Sequence, residues 1–268
     1  MKRRAQTKDW LPLAKAAPRP ADQIPTGEAF RPEWIDFDNG LRIGNLEPHE
    51  RITQILKYYL EGKYKTPFVT DRWGRGVFWQ WICWLPKANR LAKPLSSNVN
   101  FGCAKLFISA DRERRIFQSG LQVERGYLEG VEPLPGCKLK DDWDWHRLLA
   151  QCDTGTTLDK ELKRLLGNEG FTVEAGDWER NAILTKNNFK SARQIRDAVK
   201  KISGKQWAGF QLYYPMPERE VRSCSGYDLV QAMRGVFAEV VPAMNICMQV
   251  PLVDTAAPLS FGRRPQLK

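Results

Sequence analysis

The stretch that decides the fold is Val77-Phe78-Trp79-Gln80-Trp81-Ile82-Cys83-Trp84-Leu85, which holds three tryptophans and one phenylalanine in nine residues. Aromatic and β-branched side chains favour a pleated, packed surface, and nine residues are too few for a buried helix of ordinary length. The stretch therefore predicts a buried strand.

A hairpin follows this strand in the sequence. Residues 100–110 and 114–127 predict two strands joined by a turn around residues 110–113. The second arm alternates apolar with polar side chains, as an antiparallel strand buried on one face does. Gly120 in the middle of that arm predicts a break or a bulge.

Helices are predicted on both sides of these strands. Apolar residues recur at helical spacing near residues 48–61, 143–152, 158–166, 191–202 and 225–240. Ser225 and Asp228 have the spacing of a capped helix start. Strands followed by helices with interleaved strands predict an α+β fold, in which one antiparallel sheet carries helices mainly on one face. We assign this single domain to residues 33–254.

The positive charge is concentrated at the two ends of the chain. The formal net charge is +11, but residues 21–254 hold 33 basic and 30 acidic residues. Residues 1–32 contain five prolines and predict a flexible basic arm, and residues 255–268 predict a basic C-terminal tail. Such ends can contact the phosphates of DNA or RNA, although basic tails also occur as solubilising ends without a partner.

Composition indicates a cytoplasmic protein. No run approaches the ~20 apolar residues that cross a bilayer, so we predict no membrane insertion. Prolines rather than an apolar stretch follow the basic N-terminus, so we predict no secretory signal. Six cysteines without a C-x-x-C pair predict buried, reduced thiols. Oligomeric state stays open at this point.

Motifs for metal, cofactor or acid–base chemistry are missing from the sequence. His49 and His146 are the only histidines and lie too far apart for a metal-ligand pair. The sequence has no phosphate-binding loop, dinucleotide fingerprint or serine-hydrolase elbow. We therefore predict no metal and no cofactor, and the catalytic residues of any enzyme activity stay unknown.

Residues 63–76, K-Y-K-T-P-F-V-T-D-R-W-G-R-G, interleave four cations with three aromatic side chains. A loop of this kind can hold phosphates with its cations and stack bases on its rings. We predict that this loop binds nucleic acid and that Arg125, from outside the loop, takes part. The predicted binding residues are Lys63, Tyr64, Lys65, Arg72, Trp73, Arg75 and Arg125. Three alternatives stay open. The aromatic side chains could only cover the core, or the loop and Arg125 could form the pocket of an enzyme that acts on a phosphate-containing substrate. The third alternative is a plain protein-interaction module.

Several segments occur in the order of a known family. Residues 65–70, K-T-P-F-V-T, are followed by Ser119-Gly120-Leu121, by a helical stretch from Trp145 to Phe171 and by a closing segment from Trp207 to Pro242. This order resembles a family of uncharacterised bacterial proteins, a domain of unknown function marked by a K-D-K-T-P-Y-K-T segment. The resemblance spans roughly residues 48–245 and implies no established activity.

Overall fold

The computed structural model describes residues 25–93, 100–130, 136, 138–177, 179 and 181–253. Within these residues the strands are β1 (Ile35–Asp36), β2 (Gly40–Arg42), β3 (Phe68–Arg75), β4 (Phe78–Pro86), β5 (Lys105–Asp111), β6 (Ile116–Glu124), β7 (Thr172–Gly176), β8 (Asn181–Leu184) and β9 (Gly209–Pro217). The α-helices are α1 (Ile52–Tyr64), α2 (Lys87–Leu91), α3 (Asp144–Gln151), α4 (Thr157–Asn168), α5 (Arg193–Lys200), α6 (Glu218–Ser223) and α7 (Gly226–Cys247). A 3₁₀ turn covers Pro32–Trp34.

All nine described strands join one antiparallel sheet. Their order is β1-β2-β4-β5-β6-β9-β7-β8, and β3 pairs with β4 along the other edge of β4. The predicted hairpin is β5–β6, with Asp111 opposite Ile116 at its turn. The α+β architecture expected from the sequence is thereby confirmed.

The main core lies between one face of the sheet and the helices. Trp84 and Leu121 of the strands pack there with Leu56 of α1 and Phe237 of α7. The rings of Trp84 and Phe237 meet edge to face, with centroids 5.8 Å apart. We call this side the helix face and the opposite side the far face. The expectation that the helices pack mainly on one face holds.

The cap at Ser225 begins the longest helix. Its hydroxyl accepts the backbone N–H of Asp228 at 3.1 Å, as the sequence predicts. The helix passes through Pro242 and ends at Cys247, beyond the predicted end near residue 240. A proline inside a helix costs about 3 kcal/mol. Burial of Met244 and Cys247 on the apolar side of α7 offsets that cost.

The folded body begins before residue 33, the boundary expected from the sequence. Phe30 is only 3% exposed and its ring lies edge to face on Trp34, 5.6 Å between centroids. The carbonyl group of Phe30 is in close contact with Gly226 at the start of α7, where a side chain would overlap it. Residues 27–32 therefore belong to the body. The rest of the predicted arm, residues 1–24, and the predicted tail, residues 255–268, lie outside the described residues.

The cysteine thiols in the described part of the chain are all free. They are Cys83, Cys103, Cys152, Cys224 and Cys247, and all except Cys224 are buried. Burial raises the pKa of Cys152 to about 12, so its thiol stays protonated and unreactive at neutral pH. These five agree with the prediction, whereas Cys137 lies outside the described residues. None of the helices in the described residues combines the length and the apolarity of a membrane span.

Gly120 is paired without a bulge, in contrast to the prediction. It lies opposite Phe107 on one side and Tyr213 on the other, in continuous ladders. A Cβ atom at this position would overlap the carbonyl oxygen of Leu212. Glycine is therefore required because β6 and β9 approach each other closely here.

Gly120→Ala tests this close approach. The added methyl group should push β9 away from β6 and lower the free energy of unfolding by about 1–3 kcal/mol, the usual effect of overpacking. Gly62→Ala in α1 is the matched control, because no atom lies within 4 Å of the point that a Cβ atom would take there, and helix propensity favours alanine by about 1 kcal/mol. Urea denaturation of both variants measures the difference. A Gly120→Ala protein as stable as wild type would contradict the proposed constraint.

Candidate nucleic-acid interface

The segment predicted as a loop is a helix end followed by a strand. Lys63 and Tyr64 belong to the last turn of α1, and Lys65 closes the helix in the left-handed region, with φ of 50°. Strand β3 then runs from Phe68 to Arg75 and pairs with β4 along its length. The prediction of a loop over residues 63–76 is therefore wrong, because pairing with the aromatic strand β4 orders the second half.

The predicted site residues separate into two groups along β3. Tyr64 is 5% exposed and packs against Phe68, so its ring is not available for stacking on a base. The ammonium group of Lys63 lies 5.4 Å from the centre of the Tyr64 ring. Five residues separate Phe68 from Trp73, which is about 17 Å of extended strand. Lys63, Tyr64 and Lys65 therefore lie at one end of β3 and Arg72, Trp73 and Arg75 at the other.

Arg125 has a structural role in the described residues. It is 8% exposed, and its guanidinium group donates to the carbonyl oxygens of Gly126, Ile202, Ser203 and Gln206 at 2.6–3.3 Å. These bonds tie the end of β6 to the turn before β9. The guanidinium group of Arg125 thus spends its donors on backbone carbonyl oxygens of this protein.

Arg125 is also far from the end of the β3–β4 hairpin. Trp73 lies in one cross-strand row with Trp81, Ser109 and Gln118. Arg125 follows Gln118 by seven residues, which is about 23 Å of strand. The structure does not bring Arg125 together with Arg72, Trp73 and Arg75.

A β-bulge shapes the end of the β3–β4 hairpin. Trp73 lies opposite Trp81 and Gly74 opposite Trp79, which leaves Gln80 as the extra residue. Gly74 has φ of +144°, and a side chain there would meet the Cα atom of Trp79. The bulge allows Trp79 to pack towards the helix-face core while Trp81 faces the opposite side.

Five side chains on the far face, together with Arg72, form what we call the hairpin surface. Arg42, Phe78 and Arg75 stand side by side on β2, β4 and β3, and Trp73 and Trp81 form the next row. Trp73 is 69% exposed, whereas Phe78 and Trp81 are half-buried. Aromatic and cationic side chains therefore alternate on a surface built from strands.

Arg72 contacts the other side of the same hairpin. Its guanidinium carbon lies 3.7 Å from the centre of the Trp79 ring, within the range of a cation–π contact. The contact holds the guanidinium plane against a ring that is itself packed on the core. Arg72 stays exposed to solvent in this position.

The guanidinium groups of Arg42, Arg72 and Arg75 have no carboxylate partner among the described residues. Arg114 and Arg115, in contrast, reach carboxylates at 2.6–3.0 Å. The Nε atom of Arg42 is buried and makes no hydrogen bond to the described residues. A buried donor without a partner costs about 1–3 kcal/mol.

The nearest acid along β3 is already engaged. One oxygen of Asp71 accepts the backbone N–H of Arg72 at 2.8 Å, and the other accepts the side-chain amide of Asn100 at 2.6 Å. Both oxygens of Asp71 thus accept from uncharged groups, and Asp71 forms no ion pair with an arginine of the hairpin surface.

Trp81 is anchored by a buried polar cluster on the far face. Its indole N–H donates to Gln122 of β6 at 2.7 Å, and the ammonium group of Lys105 lies 5.4 Å from its ring centre. Lys105 forms a buried ion pair with Glu124, whose second oxygen accepts the indole N–H of Trp207 at 3.0 Å. Burial lowers the pKa of Lys105, but the charge and hydrogen bond of Glu124, together with the nearby thiols of Cys83 and Cys103, outweigh burial, so the pKa lies above its ordinary value. The cluster fixes the inner side of the hairpin surface.

Sequence reasoning missed Arg42, Phe78 and Trp81. The aromatic run was assigned to the core as a whole, and Arg42 is far from it in sequence. The polar residue of the run, Gln80, lies between two tryptophans as in a regular alternating strand, so no local signal reveals the bulge. The register that places Arg42 beside Phe78 depends on long-range pairing that no local pattern contains.

Two cavities lie elsewhere in the described structure. One, of about 420 Å³, is lined by residues 166–172 and 185–187. The other, of about 80 Å³, is lined by residues of β7, β8 and β9 and by Trp207. Within the described part of the chain, no group of three or more His, Cys, Asp or Glu side chains could hold a metal ion. The hairpin surface is open and borders neither cavity.

Trp73→Ala tests whether this indole is a surface group. Because most of the side chain is in solvent, the substitution should change the free energy of unfolding by less than about 0.5 kcal/mol. Trp84→Ala, in the helix-face core of the neighbouring strand, should cost about 3–5 kcal/mol. Thermal and urea melts of both variants give the comparison. Equal destabilisation by the two would mean that Trp73 is a core residue.

The chain matches no protein-family model, no curated protein and no solved structure. The resemblance of residues 65–70 to the bacterial family stays a prediction from the sequence. The function proposed below therefore rests on the geometry of the hairpin surface.

Proposed function

We propose that this protein binds nucleic acid at the hairpin surface. The observation that carries the proposal is an indole with 69% of its surface exposed, near Arg42 and Arg75 on the far face and with Arg72 on the other side of β3. None of these three guanidinium groups has a carboxylate partner in the described residues. Each of these groups is on a strand or packed against one.

The chemistry of these side chains suits a polyanion with aromatic bases. A guanidinium group donates two parallel hydrogen bonds to a phosphate, and Arg42, Arg72 and Arg75 need not break an ion pair first. Base–aromatic stacking contributes about 1–3 kcal/mol per base. Strand positions restrict the motion of these side chains, so less entropy is lost on binding.

The N-terminal segment adds to the proposal through its charge. Residues 1–20 carry six basic residues and one acidic residue, whereas residues 21–254 are nearly neutral. Contacts from such a segment to phosphates would be independent of sequence and sensitive to salt. We place the protein in the cytoplasm in this proposal, and the free thiols of the five described cysteines support that compartment.

The enzyme alternative has less support at this surface. Its pocket is expected between residues 63–76 and Arg125, but Arg125 lies about 23 Å along the strands from the row of Trp73, and its guanidinium group donates to four carbonyl oxygens. The interaction-module alternative calls for an exposed apolar patch. The hairpin surface instead mixes aromatic side chains with arginines.

Arg72→Ala combined with Arg75→Ala tests the proposal. Loss of two phosphate contacts should weaken binding and make the slope of log K against log salt shallower by about 1.4–1.8. The assay is fluorescence anisotropy of a labelled oligonucleotide titrated with the full-length protein at several salt concentrations.

Arg147→Ala combined with Lys200→Ala is the matched control. Both side chains are exposed, on α3 and α5, and the double variant removes the same charge. The control should lose little affinity, because only long-range charge changes. Equal losses in the two double variants, or none in either, would contradict binding at the hairpin surface.

A further inference from the structure

We infer that the hairpin surface accepts single-stranded rather than duplex nucleic acid, with one unstacked base on Trp73. The inference rests on the proposed function and names its substrate class. Three features of the hairpin surface support it: the exposed indole face, the width of the sheet at the hairpin end and the arrangement of arginines around Phe78.

The first feature is the exposed face of Trp73. In a duplex, both faces of each base are covered by neighbouring bases, and a protein meets phosphates, sugars and base edges. A single strand offers the π-face of each base, which stacks on indole with little regard to sequence. The exposed indole of Trp73 can therefore stack on a base of a single strand, whereas a duplex offers it no free base face.

The second feature is the width of the sheet at the hairpin end. The major groove, about 12 Å wide, admits a two-stranded β-ribbon. Here β2 pairs with β4 at Phe78 and Trp79, the first residues after the turn, and the backbone N–H groups of Ile43 and Gly44 donate to the carbonyl oxygen of Val77 within the turn. A third strand adds about 4.8 Å to the ribbon. The hairpin end is therefore too wide for the groove.

The third feature is the row Arg42–Phe78–Arg75. The two arginines flank the ring on neighbouring strands, each about 4.8 Å from it at the backbone. Phe78 is the diagonal neighbour of Trp73, at about 7–8 Å. A single strand crossing β3 and β4 can therefore stack successive bases on Trp73 and Phe78 while its phosphates meet Arg75 and Arg42.

The test compares oligo(dT), oligo(U) and a duplex of mixed sequence and equal length, each fluorescently labelled, in anisotropy titrations at one salt concentration. Wild type should bind at least one of the two single strands more tightly than the duplex. Trp73→Ala should reduce the ratio of single-strand to duplex affinity roughly 5- to 150-fold, the equivalent of about 1–3 kcal/mol. Trp73→Phe, which keeps a ring, should retain part of the ratio, and Arg147→Ala combined with Lys200→Ala should keep all of it.

The outcomes separate this inference from the proposed function. Preference for oligo(dT), for oligo(U) or for both over the duplex supports the inference, and tighter binding of one single strand than of the other decides between DNA and RNA. Equal binding of duplex and single strands, with Trp73→Ala keeping the wild-type ratio, overturns single-strand recognition; the proposed function then stands if Arg72→Ala with Arg75→Ala still weakens binding. Absence of binding to all three probes overturns both.

Discussion

The bulge at Gln80 is the constraint on which the hairpin surface depends. If β4 were a regular strand, with Gln80 in the ladder, Trp79 and Trp81 would lie on the same face, because side chains alternate with a period of two. Because Gln80 bulges out of the ladder instead, Trp79 joins Leu41 and the helix-face core while Trp81 faces the far side. One residue thus allows β4 to anchor the main core and to present aromatic side chains on the opposite face.

Two buried polar clusters fix the strands of the sheet, and one of them contacts Trp81. Asp144 accepts hydrogen bonds from Asn89, from Lys93 and from the backbone of Ala104 and Gln249, which joins α2, β5 and the chain after α7 at the start of α3. On the far face, the Lys105–Glu124 pair supports Trp81. Buried ion pairs contribute little net stability, but removal of one partner is strongly destabilising. Their effect here is to fix the positions of strands that carry the hairpin surface.

Local patterns in the sequence predict most of the helices and central strands, but not β3, which takes the place of a predicted loop, and not the site. The hairpin turn, at residues 112–115 rather than 110–113, and the Ser225 cap are local features, and both are found in the structure. Strand β6, which its alternation predicts to be buried on one face, is buried on both. Phe30 was assigned to the arm because prolines surround it, yet its burial depends on a distant partner, the start of α7. Arg125 was chosen for its charge, but its role depends on carbonyl groups almost 80 residues away. Arg42 joins the hairpin surface through pairing with β4, which its own neighbours in sequence do not reveal.

Photocrosslinking is the most direct test of the central claim, that nucleic acid lies on the hairpin surface. Full-length protein is irradiated with single strands containing 5-bromouracil, as DNA and as RNA, and the crosslinked peptides are identified by mass spectrometry. The account predicts crosslinks within β3 and β4, at Trp73 and Phe78, that an excess of unlabelled strand abolishes. Crosslinks confined to helices α4 and α5 or to the ends of the chain, with none between residues 72 and 81, would contradict it.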